Sequence, residues 1–228
     1  MNLNEKVLYL NRKIKKEGLV SLTWGNVSCL SADRTKVFIK PSGIELELAV
    51  PEDMSIIDLK TGKHLDGKKQ SVDTNIHLEI YRSFSDINCI VHTHSKFATI
   101  LAQSKIPVVC TGTTHADYFD GTIPVVNELS DKEIQSEYEK NLGKKIVEYF
   151  ESNKINHKRV NAALLPLHGP MVWGTDYDKT IESAIVLEKV SEMFYYQMLL
   201  NNKLDFNSVL LRKHYDRKHG VDKYYGQN

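Results

Sequence analysis

The sequence predicts an α/β protein whose sheet is at least partly antiparallel and is covered by helices. Segments with apolar residues at helical spacing alternate with short apolar segments typical of buried strands. A turn at Thr61-Gly62 follows one predicted strand and predicts a hairpin, hence antiparallel pairing. No internal repeat or long linker divides the 228 residues, so we expect one domain over 1–228.

The first predicted helix has apolar residues at intervals of three or four, which places them on one helical face. They are Leu3, Val7, Leu10 and Ile14. Gly18 ends the pattern, as expected just beyond a helix. Two short strands are predicted next, one over 36–40 that stops at the turn 41–43, and one over 54–59.

A second helix is predicted to begin near Asp73, where Asp73 or Thr74 would be a good N-cap. Its apolar positions, spaced four apart, are Ile76, Ile80 and Phe84. The apolar segment 87–91 predicts a buried strand that runs directly into His92-Thr93-His94. Ser95 would then cap a short helix over 96–103.

In the second half, residues 107–110 predict another short strand, which ends in the polar turn 111–118. Ser130 and Glu133 have capping-box spacing, so a long helix is expected from there to about Asn153. Strands are predicted over 162–167 and 171–173. Asp176 or Asp178 would cap the next helix, whereas the C-terminal segment is too polar for a core helix.

Composition excludes several classes of protein. Thirty Lys and Arg balance 29 Asp and Glu, which argues against a dedicated nucleic-acid binder. The three cysteines form no C-x-x-C pair and are expected to be buried, reduced thiols. No apolar run reaches the roughly 18 residues of a membrane helix, and charges interrupt the N-terminal segment, unlike a signal peptide. We therefore expect a cytoplasmic protein without membrane contact.

Two predicted strands end in histidine. His92 and His94 are two residues apart, so they would share one face of a strand, and His168 ends another strand. If these strand ends are neighbours, three imidazoles would surround one divalent ion, as in catalytic zinc sites. The alternative is surface histidines without a ligand. For Asp73, local sequence favours a helix cap, and a carboxylate ligand beside the metal is the alternative.

Several polar residues lie in turns that follow apolar or helical segments. They are Gly25, Asn26, Lys40, Ser42, Gly43 and Ser71. Backbone amides, hydroxyls and one lysine are the usual groups that hold a phosphate. There is no Walker or dinucleotide motif, so a nucleotide cofactor is not supported. Taken one at a time, these turns are ordinary loop chemistry.

Two further segments carry acid/base candidates. Asp117 lies in the polar segment 113–118, where a helix cap or turn is the alternative role. Between Arg212 and Lys223 there are five Lys or Arg, two Asp and two His, followed by Tyr224-Tyr225. Such a tail would contact RNA or a phosphate, or be a solvated end. A tyrosine ordered in an active site can supply a proton.

Taken in chain order, these motifs resemble the class II aldolase/adducin family. They are LTWGNVS (22–28), IKPSG (39–43), DT (73–74), IVHTHS (90–95), TGTTHADYF (111–119), EYE (137–139), LHGP (167–170) and KHY…RKHG…YYGQ (213–227). IVHTHS with a later HGP is typical of the whole family. TTHADYFxGTIP and YYGQ resemble its pentulose-phosphate epimerase branch. The resemblance runs from the first helix to Gln227.

This resemblance implies a three-layer α/β/α fold with a central, largely antiparallel sheet. It also implies metal-dependent interconversion of L-ribulose 5-phosphate and D-xylulose 5-phosphate, by cleavage and re-formation of the C3–C4 bond. The implied metal is Zn²⁺, with Mn²⁺ or another divalent ion as the alternative. Its implied ligands are Asp73, His92, His94 and His168.

The implied catalytic groups are Asp117 and Tyr225, one on each side of the carbon that inverts. The implied substrate-binding residues are Gly25, Asn26, Lys40, Ser42, Gly43, Ser71, Val72, Thr113, Glu139 and His214. Relatives have a second serine where this chain has Val72, so one phosphate contact would be lost or made by the backbone. The resemblance further implies a homotetramer whose sites are shared between subunits.

Two other functions remain open at this point. An aldolase of the same family, such as one acting on L-fuculose 1-phosphate, would use a glutamate base at the position of Asp73, where this chain has the shorter aspartate. A non-catalytic, adducin-like interaction domain would be expected to have lost part of its metal set, yet the three histidines are all present.

Overall fold

The computed structural model describes residues 1–200 and 205–225. Gly226 and Gln227, which close the YYGQ motif, lie outside the described residues. The helices are α1 (Leu3–Lys16), α2 (Thr74–Ser83), α3 (Lys96–Gln103), α4 (Thr113–Ala116), α5 (Asp131–Ile134), α6 (Tyr138–Ser152), α7 (Tyr177–Leu200) and α8 (Ser208–His219). The strands are β1 (Asn26–Leu30), β2 (Lys36–Ile39), β3 (Ser55–Asp58), β4 (His64–Asp66), β5 (Cys89–His92), β6 (Ala162–Leu164) and β7 (Pro170–Gly174).

The seven strands form one sheet in the order β4-β3-β2-β1-β5-β7-β6. Every neighbouring pair is antiparallel, which confirms the predicted antiparallel character. The hairpin predicted at Thr61-Gly62 is the connection between β3 and β4. At the centre of the sheet, Asn26 of β1 pairs with His92 of β5, so the end of the histidine strand adjoins the start of β1.

Helices cover both faces of the sheet. Ser28 of β1 faces α2, where its hydroxyl lies 2.7 Å from Nδ1 of His77. Alternate residues of a strand point to opposite faces, so Cys29 points the other way, toward the ion pair of Lys6 in α1 with Asp178 in α7. The fold is therefore the expected three-layer α/β/α arrangement.

Several predicted elements are confirmed. Helix α1 is present, and Val7, Leu10 and Ile14 of its predicted apolar stripe are buried, while Leu3 is partly buried. A capping box of Asn2 and Glu5, which was not predicted, opens this helix. On the α2 face, Phe84 and Phe150 pack against Trp173 of β7 with ring centroids 5.5 and 5.2 Å away. Asp176 caps α7, because its carboxylate accepts a hydrogen bond from the amide of Lys179.

Strand β1 was not predicted, although it lies at the centre of the sheet. Its first and third residues, Asn26 and Ser28, are polar, so the segment lacks the apolar pattern of a buried strand. Both are nevertheless buried. Asn26 donates hydrogen bonds to Ser71 and Asp73, and Ser28 bonds to His77. Their partners lie far away in the sequence.

Two predicted strands are wrong or too long. Residues 107–110 form no strand and contribute only an isolated bridge between Val108 and Ile123. Pro107 lacks the amide that would extend this pairing. The strand predicted over 162–167 ends at Leu164, because Pro166 also lacks an amide and Leu167 has a positive φ of 61°.

The long helix predicted from Ser130 to Asn153 is interrupted. The capping box is present, with the Ser130 hydroxyl accepting from the amide of Glu133, but it opens the one-turn helix α5. The Asn141 side chain donates to the carbonyl of Glu133 at 2.9 Å and so satisfies an open end of α5. The break allows α6 to begin at Tyr138 and places Glu139 in its first turn.

Two predicted caps are also wrong. Neither Asp73 nor Ser95 makes a side-chain capping hydrogen bond, although both stand at N-cap positions. The predicted turn 111–118 contains the short helix α4. The polar tail forms α8, which buries Tyr215 in the described part of the chain. None of the described helices combines the length and the hydropathy of a membrane-spanning segment.

Candidate functional site

Three imidazoles converge where the neighbouring strands β5 and β7 end and begin. His92 ends β5, His94 follows it, and His168 precedes β7, the strand that pairs with β5. One ring nitrogen from each of the three lies within 4.8 Å of the others. The Nε2 atoms of His92 and His94 are 3.2 Å apart. This spacing is suitable for three nitrogen ligands of a single divalent ion.

Hydrogen bonding determines which nitrogens are free to bind a metal. Nδ1 of His92 lies 3.0 Å from the carbonyl of Pro170, and a carbonyl can only accept, so Nδ1 donates. Nε2 of His92 therefore carries the lone pair that faces His94. Nδ1 of His168 is buried and lacks a hydrogen-bond partner among the described residues. An orphaned buried nitrogen is explained if the cluster holds an ion.

Burial also favours the neutral imidazoles that metals require. It lowers the pKa of His94, with a further contribution from His92. Burial, together with His92 and His94, likewise lowers the pKa of His168 to about 4, against the opposing effect of Asp73. At neutral pH these rings are unprotonated and available as ligands.

Asp73 lies beside the imidazoles at the start of α2. Nδ2 of Asn26 donates to its Oδ2 at 2.8 Å, and Asn26 is the sheet partner of His92. Burial by itself would raise the pKa of Asp73, but His92, His77 and His168, together with the hydrogen bond from Asn26, lower it below its ordinary value. The side chain is thus an ionised carboxylate next to the three nitrogens.

Gly25 allows the loop before β1 to approach the end of β5. Its φ is +68°, and a Cβ atom there would lie 2.7 Å from the carbonyl oxygen of His92. One residue earlier, the ring of Trp24 lies 6.1 Å from that of His94. Glycine is therefore required at this position by both its conformation and its surroundings.

The predicted phosphate-binding turns lie together near Asp73. Ser71 accepts a hydrogen bond from Asn26 at 3.1 Å. The amide of Ser42, which precedes Gly43, donates to the carbonyl of Lys69 at 3.0 Å, so the two turns run side by side. Val72 is 65% exposed and supplies no polar side chain to these turns.

Lys40 is the buried cation of this region, with only 3% of its surface exposed. Its Nζ donates to the carbonyl of Thr23 at 2.9 Å. Burial lowers the pKa of Lys40 to about 8, despite the opposing effect of Asp73. The ammonium group is therefore desolvated and, among the described residues, forms no ion pair with a carboxylate, which suits binding of an anionic group.

Glu139 lies at the same end of the structure. Helix α6 packs closely on α2 at Gly143, where a Cβ would lie 2.9 Å from the carbonyl of Ile76. Phe150 and Phe84 meet further along the two helices, so the helices run in the same direction. The first turn of α6, with half-buried Glu139, is thus near Asp73 at the start of α2.

Asp117 and the tail form a second cluster. The Asp117 carboxylate accepts hydrogen bonds from Nδ1 of His214 at 3.1 Å and from Arg217 at 3.0 Å. The guanidinium of Arg217 stacks on the ring of Tyr225, 4.4 Å from its centroid. Thr113 is one helical turn before Asp117, and the Asp117 amide donates a hydrogen bond to the Thr113 carbonyl. The predicted acid/base groups are therefore neighbours.

The predicted site residues thus fall into two groups within one protomer. The imidazoles, Asp73, the phosphate-binding turns and Glu139 form one group, and the Asp117 cluster forms the other. No hydrogen bond or ion pair of residues 1–200 and 205–225 connects Asp117 or Tyr225 to the imidazoles.

Sequence reasoning missed two residues of these groups, His77 and Arg217, and also Glu188, which lies at the start of the helix after His94. His77 is fully buried four residues after Asp73, and this helical spacing is the only signal for it. Arg217 follows His214 at helical spacing and shares its contact with Asp117. Glu188 has no local signal, because the amide that donates a hydrogen bond to it, that of Phe97 at the start of α3, lies 91 residues away in the sequence.

Two comparisons with known sequences point to the same protein family. The sequence model of the "Class II Aldolase and Adducin N-terminal domain" matches residues 5–195. The chain is also 42% identical over 230 residues to the "Probable L-ribulose-5-phosphate 4-epimerase UlaF" of Mycoplasma pneumoniae (strain ATCC 29342 / M129 / Subtype 1), a match that covers 100% of this chain and 95% of that protein.

Solved structures show the same fold. An L-fuculose 1-phosphate aldolase is 20% identical, with a TM-score of 0.78 over 94% of this chain and 96% of that one. The L-fuculose 1-phosphate aldolase from Glaciozyma antarctica PI12 is 16% identical, with a TM-score of 0.74 over 94% of this chain and 80% of that one.

Proposed function

This chain belongs to the class II aldolase and adducin family, and from that membership we propose that it interconverts L-ribulose 5-phosphate and D-xylulose 5-phosphate. The similarity over the whole chain to a protein described as an L-ribulose-5-phosphate 4-epimerase supports this reaction. The observation that carries the proposal is the convergence of three imidazoles and Asp73 beside turns suited to a phosphate.

Inversion at C4 cannot proceed by loss of the C4 proton. C4 is not adjacent to the C2 carbonyl, so its C–H bond is not acidic. A base instead removes the proton of the C4 hydroxyl, the C3–C4 bond breaks, and its electron pair is delocalised toward the C2 carbonyl. The released glycolaldehyde phosphate rotates, and the bond re-forms on its other face while the new C4 oxygen regains a proton.

The imidazole group would hold the divalent ion. When bound, the ion supplies Lewis-acid charge for the C2 carbonyl and C3 hydroxyl. His92, His94 and His168 offer three nitrogens, and Asp73 adds an ionised carboxylate beside them. We assign Zn²⁺ as the preferred ion, with Mn²⁺ as the alternative, because imidazole ligands accommodate both kinds of ion.

The turns around Lys40 would hold the phosphate. Lys40 would supply the charge, and Ser42, Gly43 and Ser71 would supply hydroxyl and amide donors. A phosphate held there keeps the aldehyde fragment bound while it turns, so that cleavage leads to epimer instead of free products. Val72 would contribute only its backbone.

Asp117 and Tyr225 would transfer the protons on opposite sides of C4. Within one protomer they form a cluster apart from the imidazoles. We therefore propose that a neighbouring copy of the chain supplies them, in a homotetramer with shared sites, acting on a phosphorylated sugar in the cytoplasm. The free thiols Cys29, Cys89 and Cys110 suit that reducing compartment.

The test is one assay with two readouts. The purified protein, loaded with Zn²⁺, is incubated with L-ribulose 5-phosphate, with and without a chelator, and D-xylulose 5-phosphate is measured. We expect conversion that the chelator abolishes and that added metal restores. No conversion by the metal-loaded protein would contradict the proposal. Accumulation of free glycolaldehyde phosphate in place of epimer would instead identify an aldolase.

A further inference from the structure

Arg217 connects the two groups to which we assign proton transfer. It lies in the last turn of α8. Its guanidinium donates to both carboxylate oxygens of Asp117, at 3.2 and 3.0 Å. The same group lies 4.4 Å from the ring centroid of Tyr225. One planar cation therefore contacts a carboxylate with its N–H edge and a phenol ring with its face.

The backbone of Arg217 also directs the tail. Its carbonyl accepts hydrogen bonds from the amides of Tyr224 at 2.9 Å and Tyr225 at 3.1 Å. These bonds turn the chain back after the end of α8. The position of Tyr225 thus depends on both the main chain and the side chain of Arg217.

We propose that Arg217 is the positioning residue that fixes Asp117 and Tyr225 relative to each other, so that both proton-transfer groups enter the active site as one unit. This inference rests on the proposed epimerase function. Arginine is suited to the role because its planar guanidinium can bind a carboxylate through two bonds and stack on an aromatic ring. A lysine ammonium has no planar face and cannot form two parallel bonds to a carboxylate while stacking on a ring.

The two histidines nearest to Asp117 do not replace this contact. His214 shares Oδ1 of Asp117, and His219 bonds only to the Asp117 backbone carbonyl. Among the described residues, neither histidine lies in a contact with the Tyr225 ring. Loss of the Arg217 side chain would therefore remove the connection between the Tyr225 ring and the Asp117 carboxylate. The Arg217 carbonyl would still hold the amides of Tyr224 and Tyr225, and His214 would keep one bond to Asp117.

Arg212 provides a matched control in the same helix. It pairs with Asp216 at 2.7 Å and with Asp120 at 3.3 Å. In the described part of the chain it bonds to neither Asp117 nor Tyr225. Its replacement removes a tail ion pair of similar chemistry but leaves the two proton-transfer groups connected.

The kinetic experiment compares Arg217→Met, Arg217→Lys and Arg212→Met. We expect Arg217→Met to lower kcat on the order of 100-fold, the size of effect produced by misplacing reacting groups by about 1 Å. KM should change little, since the phosphate-binding turns are elsewhere. Arg217→Lys should resemble Arg217→Met, and Arg212→Met should resemble the parent. In Arg217→Ala, added guanidinium ion should restore rate saturably, whereas tetramethylammonium should not.

A second measurement does not depend on activity. Amide hydrogen exchange over residues 220–225 is compared in the parent, Arg217→Met, Asp117→Asn and Arg212→Met. We expect faster exchange in Arg217→Met and Asp117→Asn only. If the parent protein lacks epimerase activity, the proposed function fails, and this exchange pattern still decides whether Arg217 couples the tail to Asp117.

Three results would overturn the inference. The first is an unchanged kcat in Arg217→Met. The second is an equal loss in Arg212→Met, which would indicate general weakening of the tail. The third is unchanged exchange over 220–225 in Arg217→Met. Rescue of Arg217→Ala by guanidinium, together with a normal Arg212→Met variant, would support it.

Discussion

The carboxylate of Glu188 accepts a hydrogen bond from the backbone amide of Phe97 at 2.8 Å. Its second oxygen accepts from the next amide, that of Ala98, at 3.0 Å. These are open donors in the first turn of α3, which begins two residues after His94. A side chain of α7 therefore caps the helix that follows one of the candidate metal ligands.

Glu188→Ala should destabilise the fold by about 1–2 kcal/mol, because it removes both the cap and a negative charge at a helix N-terminus. It should also weaken metal binding, since the backbone at His94 loses its support. Urea unfolding and competition with a chelator measure the two effects. Glu192→Ala is the control, because Glu192 pairs only with exposed Lys189 in the described structure. Equal stability of the two variants would argue against the cap.

Gly25→Ala should be far more costly than Gly18→Ala. Both glycines have a positive φ, but a Cβ at Gly25 would meet the His92 carbonyl at 2.7 Å, whereas nothing lies within 4 Å of one at Gly18. We expect a loss of about 1–2 kcal/mol at Gly18 from backbone strain and about 2–5 kcal/mol at Gly25 from strain plus collision. Chemical unfolding of both variants tests the difference. Similar losses would show that the close approach is unimportant.

Substrate binding should weaken as the pH rises through about 8. Lys40 is protonated below its lowered pKa of about 8 and neutral above it, so its attraction for a phosphate is complete on the acid side and lost on the alkaline side. KM for the sugar phosphate should therefore rise between pH 7.5 and pH 9. Lys40→Met should raise KM roughly 10- to 100-fold at pH 7, as expected for a charged hydrogen bond of about 1.5–3 kcal/mol.

The shape of the pH profile provides the control for Lys40. In Lys40→Met, KM should no longer depend on pH in this range, because the titrating group is gone. A profile that rises equally in Lys40→Met would assign the titration to another group.

Removal of one imidazole should abolish tight metal binding. His168→Ala removes one of three nitrogens that lie within 4.8 Å of one another. The loss of affinity should exceed the roughly 10- to 100-fold that removal of a residue behind a ligand produces. The metal content of the protein after dialysis measures this loss of affinity. His64→Ala is the control, since His64 is exposed on strand β4. Retained metal in His168→Ala would exclude this residue as a ligand.

Asp117→Asn and Tyr225→Phe should each lower the epimerisation rate by about 10²- to 10⁴-fold, the usual contribution of a positioned acid or base. Both should keep their metal, because neither residue contacts the imidazoles within the described protomer. Tyr224→Phe is the control for the tail, as Tyr224 is exposed. Full activity of both Asp117→Asn and Tyr225→Phe would show that the assignment is wrong.

Mixing two inactive variants tests whether sites are shared. Asp117→Asn carries intact imidazoles, and His168→Ala carries an intact Asp117 cluster. If a neighbouring subunit supplies the acid/base groups, subunit exchange between the two proteins should restore part of the activity. Absence of any recovery in verified mixed oligomers would indicate that each protomer builds its own site.

The local sequence pattern was sufficient to predict those elements that depend on contacts between residues close together in the chain. The three- and four-residue spacing of Leu3, Val7, Leu10 and Ile14 predicted α1, and Thr61-Gly62 predicted the β3–β4 hairpin. The H-x-H pattern predicted that His92 and His94 would share a site, because residues two apart in a strand share a face. A second strand that ends in histidine indicated His168, the polar segment 113–118 indicated Asp117, and the family resemblance implied their roles.

Tertiary structure alone decided where polar residues find partners. Strand β1 could not be predicted because Asn26 and Ser28 break its apolar pattern. A polar residue is stable in a buried strand only when other groups bond to it, and here Ser71 and His77, far away in the sequence, do so. Glu188 reaches α3 across 91 residues, and Arg217 reaches Asp117 across 100. Sequence spacing encodes which residues share a helix face or a strand face. It does not encode which faces meet, because that depends on how the whole sheet and its helices pack.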